Sequence, residues 1–341
     1  MPTFLAFCLE LGNNPALAVT ALLTLGVMVV NGWTDAPNAI AGAVVTGALS
    51  FRRAVALAAC FEILGVLWAA SAGLPVARTV YAIARFQGDP QRTSVALCAA
   101  MAAVVVWAAA AWRWGIPTSE SHALMAGLTG AAAALGQGWQ ALDRENWAKV
   151  LLGLLLSTGA GVLAGWWTGR VSRSWPGGAD TFRLLQIPGA AGTALLHGAQ
   201  DGQKFMGVFL LGMALAQGGQ GPEMAPAPRW LALVCAGAMA LGCALGGRRI
   251  IDRIGRDMVS LTPRDGFAAD LGGNACLLLS TLLGFPVSTT HTRTSALLGV
   301  GLAGGQGVDW RVAGGVALTW VLTFPGCGCL GYLFARLWLE R

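Results

Sequence analysis

The chain has 341 residues, 55% of them hydrophobic and only 11% charged. A soluble domain is about one-quarter charged, so two soluble domains of this length are excluded, because too few polar side chains remain to coat them. The formal charge of +6 is almost all arginine scattered between apolar runs, which excludes a nucleic-acid surface. The 48 glycines lie inside apolar stretches without a three-residue period. That pattern points to an all-α polytopic membrane protein with closely packed or interrupted helices.

In chain order, no basic segment precedes the first apolar run, so the expectation is a retained span rather than a cleaved signal peptide. Residues 15–31 and 36–50 are candidate spans on either side of a polar cluster, Asn31 to Asn38 (NGWTDAPN). Span 54–76 carries Glu62 in mid-span, where it is expected to be paired inside the bundle. Span 93–112 is followed by Gly115 to His122 (GIPTSESH), and spans 122–139 and 149–169 follow. Residues 171–183 form a polar linker between a first half, 1–170, and a second, 184–341.

Spans 184–199 and 205–219 flank His197 to Lys204 (HGAQDGQK), and 229–247 leads into an arginine cluster, Arg248, Arg249, Arg253, Arg256 and Arg264. The positive-inside rule puts that loop in the cytoplasm. Span 268–285 runs into Gly284 to His291 (GFPVSTTH), and 294–308 and 312–336 complete the set. A span needs about 20 apolar residues, and the count comes to about nine to twelve crossings. The eight cysteines form no CxxC pair and read as small packing residues, with neither a disulfide framework nor a zinc site. Tryptophans such as Trp114, Trp166, Trp167, Trp310 and Trp338 fall at span ends, as interfacial anchors do.

The four polar clusters pair up. Asp201 follows Asp35 by 166 residues, each with a glycine three positions earlier, and Ser288 follows Ser119 by 169 within a shared Gly-x-Pro-x-Ser-x-x-His. Two matches in the same order at nearly one offset make the chain a repeat of two halves. Interruptions at corresponding places in two halves point to a transporter site at their interface. An isolated carboxylate in apolar surroundings needs a cation, a proton or several donors, so Asp35 and Asp201 are expected to hold a cation such as Na+ or to cap broken helices. Pro117 and Pro286 suit the first turn of a helix, and the hydroxyls Thr118, Ser119, Ser121, Ser288, Thr289 and Thr290 at such a start form an anion cradle. His122 and His291 are expected to orient the hairpins or to join the site. Glu120 stands opposite Thr289 as a group that binds a cation or a proton. Lys204 and Arg293 are cations placed to neutralise a carboxylate or attract an anion. Ser and His three residues apart occupy one turn, poor geometry for nucleophilic attack, so no enzyme is expected.

At these residues the chain resembles the inorganic phosphate transporter family of the PiT type. HGAQDGQKFMG (197–207) and GFPVSTTH (284–291) are very close to its motifs, and NGWTDAPNA (31–39) and GIPTSESH (115–122) are looser. The resemblance implies two inverted repeats, re-entrant helical hairpins, a homodimer, a multi-pass place in the plasma membrane, and symport of orthophosphate with Na+ or H+ and no other cofactor. Carried over by position, Asp35, Asn38, Ser119, Ser121, Gln200, Asp201, Ser288, Thr289 and Thr290 would contact phosphate. Asn31, Thr34, Asp35, Glu120 and Asp201 would serve the coupling ion, with His122, His197, Lys204, His291 and Arg293 in support. The family's asparagine before each aspartate is Thr34 and Gln200 here, and Lys204 replaces an asparagine of the second motif. Sulfate, also tetrahedral, is the alternative cargo.

Overall fold

The computed structural model describes residues 3–114, 118–221, 223–245, 251, 259, 261–304 and 308–340. The fold is helical, and the only β pairings among these residues are isolated bridges at Ala84–Leu142 and Val259–Val308. The helices are α1 (Phe4–Asn13), α2 (Pro15–Thr34), α3 (Ala36–Val45), α4 (Phe51–Ser71), α5 (Pro75–Tyr81), α6 (Pro90–Arg113), α7 (Glu120–Ala132), α8 (Arg144–Ser172), α9 (Ala179–Ala216), α10 (Arg229–Leu245), α11 (Pro263–Leu282), α12 (Thr289–Gly304) and α13 (Trp310–Leu339). Their starts carry ordinary signals. Asn14, Asp143 and Asp309 cap α2, α8 and α13 through side-chain oxygens, and Thr262 with Asp265 forms a capping box on α11.

Five segments among the described residues are long and apolar enough to cross a membrane: Pro15–Val45, Phe51–Ser71, Pro90–Ala111, Arg144–Ser172 and Trp310–Leu339. Helices α8 and α13 turn rows of leucine outward, among them Leu151, Leu155, Leu163, Leu318, Leu322 and Leu333. These faces suit lipid. In contrast, α7 and α12 have 13 and 16 residues, with nearly every side chain buried. At 1.5 Å per residue they are about 20–24 Å long, too short for a bilayer core of about 30 Å, and each forms one arm of a hairpin, with α6 and with α11.

The packing repeats under exchange of the halves. When α2 is exchanged for α9, α4 for α10, α6 for α11, α7 for α12 and α8 for α13, the main pairings among these helices map onto one another, and α4–α10 maps onto itself. Thus α4–α9 becomes α10–α2, α7–α13 becomes α12–α8, α6–α13 becomes α11–α8, and α2–α6 becomes α9–α11. The recurring glycines lie at these crossings. A Cβ on Gly32 of α2 would overlap the Met239 carbonyl of α10, and its counterpart on Gly198 of α9 would overlap the Glu62 carbonyl of α4. Gly130 meets Gly328 and Tyr332 of α13, and Gly299 meets Val162 and Trp166 of α8, in the same relation.

Three expectations are corrected. The second aspartate cluster does not interrupt a helix: candidate spans 184–199 and 205–219 are one 38-residue helix, α9, with Asp201 inside it. Only the first cluster marks a junction, Asp35 standing between α2 and α3. The recurring glycines Gly32, Gly198, Gly130 and Gly299 therefore serve close approach of helices rather than breaks. The linker is shorter than 171–183, because α8 continues to Ser172 and α9 begins at Ala179. Pro286 lies before α12 rather than in its first turn, since Ser288 is the residue that caps it. Gly115, Pro117, Arg248, Arg249, Arg253 and Arg256 lie outside the described residues.

Candidate functional site

The two short helices α7 and α12 begin among buried residues. Ser119 accepts the His122 backbone N–H at 3.3 Å, and Ser288 accepts that of His291 at 3.2 Å. Each serine oxygen thus accepts as a cap and keeps its hydroxyl hydrogen to donate. The following residues, Glu120 and Ser121 on α7 and Thr289 and Thr290 on α12, are fully buried and meet the aspartate motifs of α2, α3 and α9.

Around Asp35 the contacts form a chain across the halves. Thr290 Oγ1 donates to Asp35 Oδ1 at 2.7 Å, and Asn38 Nδ2 donates to Thr290 Oγ1 at 3.0 Å. Asn31 Nδ2 donates to Asp201 Oδ2 at 3.0 Å and lies 3.4 Å from Asp35 Oδ2, so one amide ties both aspartates together. Thr34 Oγ1 donates to Glu120 Oε1 at 2.8 Å. The outer oxygens Asn31 Oδ1, Asn38 Oδ1 and Glu120 Oε2 are buried without a hydrogen-bond partner among the described residues. Buried polar atoms are rarely left so unless a ligand or water serves them.

Asp201 is held differently. Lys204 Nζ donates to Asp201 Oδ1 at 2.5 Å, Ser121 Oγ at 2.6 Å and the Val287 carbonyl at 2.7 Å, which uses all three ammonium hydrogens. His197 stands between two acids, Nδ1 2.7 Å from Glu62 Oε1 and Nε2 3.2 Å from Asp201 Oδ2. Of the two, only the Nδ1 contact is a hydrogen bond, and Nε2 has no hydrogen-bond partner among the described residues. Asp35, His197 and Asp201 also offer ligand atoms within 4.8 Å of one another, a set able to hold a cation.

The structure thus brings together Asn31, Thr34, Asp35, Asn38, Glu120, Ser121, His197, Asp201, Lys204 and Thr290. Thr289 starts α12 with its hydroxyl unpartnered among the described residues, and Gln200 Nε2 donates to the Phe285 carbonyl at the hairpin turn. Arg293 turns away to Asp270 Oδ1 of α11, so it neutralises a carboxylate outside the cluster. The His122 and His291 rings pack on each other with centroids 4.5 Å apart, against Phe324 and Trp320, and their nitrogens have no hydrogen-bond partner among the described residues. Sequence reasoning left Glu62 out of the site. Its only signal was a lone acid in mid-span, and its link through His197 joins helices 135 residues apart.

Comparison with known proteins fits this arrangement. Residues 31–177 and 168–331 match the model of the phosphate transporter family. A probable low-affinity inorganic phosphate transporter of Rhizobium meliloti (strain 1021) is 37% identical over 311 residues, covering 89% of this chain and 91% of that protein. One of the same description from Bacillus subtilis (strain 168) is 33% identical over 312 residues, again covering 89% and 91%. Among solved structures, a sodium-dependent phosphate transporter superposes with a TM-score of 0.81 at 19% identity, covering 95% of this chain and 98% of that one.

Proposed function

This chain belongs to the phosphate transporter family and is a multi-pass membrane protein that transports inorganic phosphate, and we propose that it does so as a symporter driven by Na+ or H+. The observation that carries this reading is the charge balance at the centre. Asp35, Glu62, Glu120 and Asp201 are buried acids, and Lys204 and His197 are the basic groups in contact with them. Phosphate is itself an anion. Bringing it beside an excess of buried carboxylates is costly unless cations or protons enter with it, and that dependence is what couples two fluxes.

The backbone N–H groups at the starts of α7 and α12, with Ser121, Thr289 and Thr290, are the oxyanion cradle in this reading, and Ser119 and Ser288 shape it as caps. Asn38 and Gln200 border it. Asp35, Asp201, Asn31, Thr34 and Glu120 serve the cation, with Na+ at the aspartates. The two halves act as inverted repeats about this site, and the transporter works as a homodimer.

Purified protein in liposomes should accumulate radiolabelled phosphate only when a Na+ or H+ gradient is imposed, the two gradients being varied independently. Correctly inserted protein that takes up no phosphate under either gradient refutes symport. Unlabelled sulfate should compete weakly.

A further inference from the structure

The repeat allows each residue of the site to be compared with its counterpart, and the two aspartates have unlike company. Shifted by 166 residues, Asn31 corresponds to His197 and Asn38 to Lys204. Shifted by 169, Ser121 corresponds to Thr290 and Thr118 to Val287. The contacts obey this correspondence, since Lys204 reaches Ser121 across the halves as Asn38 reaches Thr290. In the second half the ammonium is enclosed by a carboxylate, a hydroxyl and a main-chain carbonyl at 2.5–2.7 Å. Carboxylate, hydroxyl and carbonyl oxygens are what a hard cation is bound by. The first half presents two of these oxygens together, the Asp35 carboxylate and Thr290 Oγ1. There Asn38 offers a neutral amide with its oxygen unpartnered among the described residues.

We infer that Lys204 is a tethered cation: its ammonium fills, beside Asp201, the place that an exchangeable coupling cation takes beside Asp35, so the transporter binds one soluble cation fewer than its two aspartates suggest. The inference rests on the symport reading and deepens it. His197 acts in the same sense, since it puts a second basic side chain against Asp201 where the first half has the amide of Asn31. The pseudo-symmetric site is therefore half occupied by the protein's own charge. The exchangeable cation is confined to the side formed by Asp35, Asn38 and Thr290, with Asn31, Thr34 and Glu120 around it.

The test converts the second half into a copy of the first. Wild type, Lys204→Asn and Lys204→Met are purified in detergent and melted across a NaCl series balanced with choline chloride, then assayed for phosphate uptake. Lys204→Asn supplies an amide oxygen and removes the charge, so Na+ should raise its melting temperature by roughly 5 °C more than it raises that of wild type. Lys204→Met supplies neither charge nor ligand, and should gain no Na+ response and lose at least about ten-fold in uptake, the measure of a displaced site. A Lys204→Asn protein whose Na+ response equals that of wild type, or a Lys204→Met protein with wild-type uptake, overturns the inference. If Lys204→Asn does not fold, wild type decides: uptake that depends on the driving cation with a Hill coefficient of about one supports it, and about two overturns it. The melting measurement needs no transport, so its outcome stays separate from a failure of the symport reading, which would show as wild-type protein without gradient-driven uptake.

Discussion

Substituting Gly299 by alanine tests whether the helix crossings set the site. A Cβ there would lie 2.7 Å from the Trp166 nitrogen and overlap the Val162 carbonyl, both backbone atoms of α8. Ordinary carbon contacts need about 3.5–4.0 Å, so α12 and α8 must part by roughly 1 Å, because no flexible side chain is available to yield. Overpacking of this kind costs about 1–3 kcal/mol, or roughly 2–12 °C of melting temperature for a protein of this size class. The helix that moves begins with Thr289 and Thr290, so uptake should fall together with stability. Gly314 on α13 is the control: a Cβ there meets nothing within 4 Å. Gly314→Ala should be neutral or stabilising by up to about 1 kcal/mol through helix propensity. Thermal melting in detergent beside phosphate uptake provides both readouts. A Gly299→Ala protein that melts and transports like Gly314→Ala would refute the claim that these glycines exist for close approach.

The other predictions concern charge. Asp35→Asn and Asp201→Asn should each abolish gradient-driven uptake in inserted protein, and wild-type rates in both would remove them from the mechanism. Their stabilities should differ. Asp201→Asn leaves the Lys204 ammonium without its counter-ion, a loss of about 3–5 kcal/mol for a broken buried pair, whereas Asp35 touches no lysine or arginine among the described residues. Equal melting temperatures for the two variants would contradict that distinction. Arg293→Met should destabilise on the same grounds by stranding Asp270, and the double variant Arg293→Met/Asp270→Leu should recover most of the loss. A double variant no more stable than the single would show that the pair matters for more than neutrality.

The pairing of the halves was legible in the sequence because the signal was redundant: two motifs, each in two copies, in one order and at nearly one offset. What was not legible is which polar cluster bends the chain. Asn31–Asn38 and His197–Lys204 look equally disruptive as strings of Gly and polar residues. The difference is local. Pro37 follows Asp35 and carries no N–H for a helical bond, and the helix is reset at Asp35. Its counterpart 166 residues on is Gln203, which keeps its N–H. In α9, moreover, His197 with Asp201 and Asp201 with Lys204 join successive turns at i,i+4 and i,i+3 spacing, so the ionic contacts of the cluster run along a helix that continues through them.

The same residues explain why departures from the family motif, read singly, look like defects. Gln200 and Lys204 each seem to weaken a site built of asparagine and aspartate. In the structure Glu62, His197, Asp201 and Lys204 form one connected row of alternating acid and base from α4 into α9, ending on Ser121 and the Val287 carbonyl of the hairpins. No member could be exchanged alone without stranding a neighbour's charge. A repeat that began as two similar halves is thus locked into an electrostatic asymmetry. A row of charges holds Asp201, whereas Asp35, with no lysine or arginine against it among the described residues, is left for an ion that comes and goes.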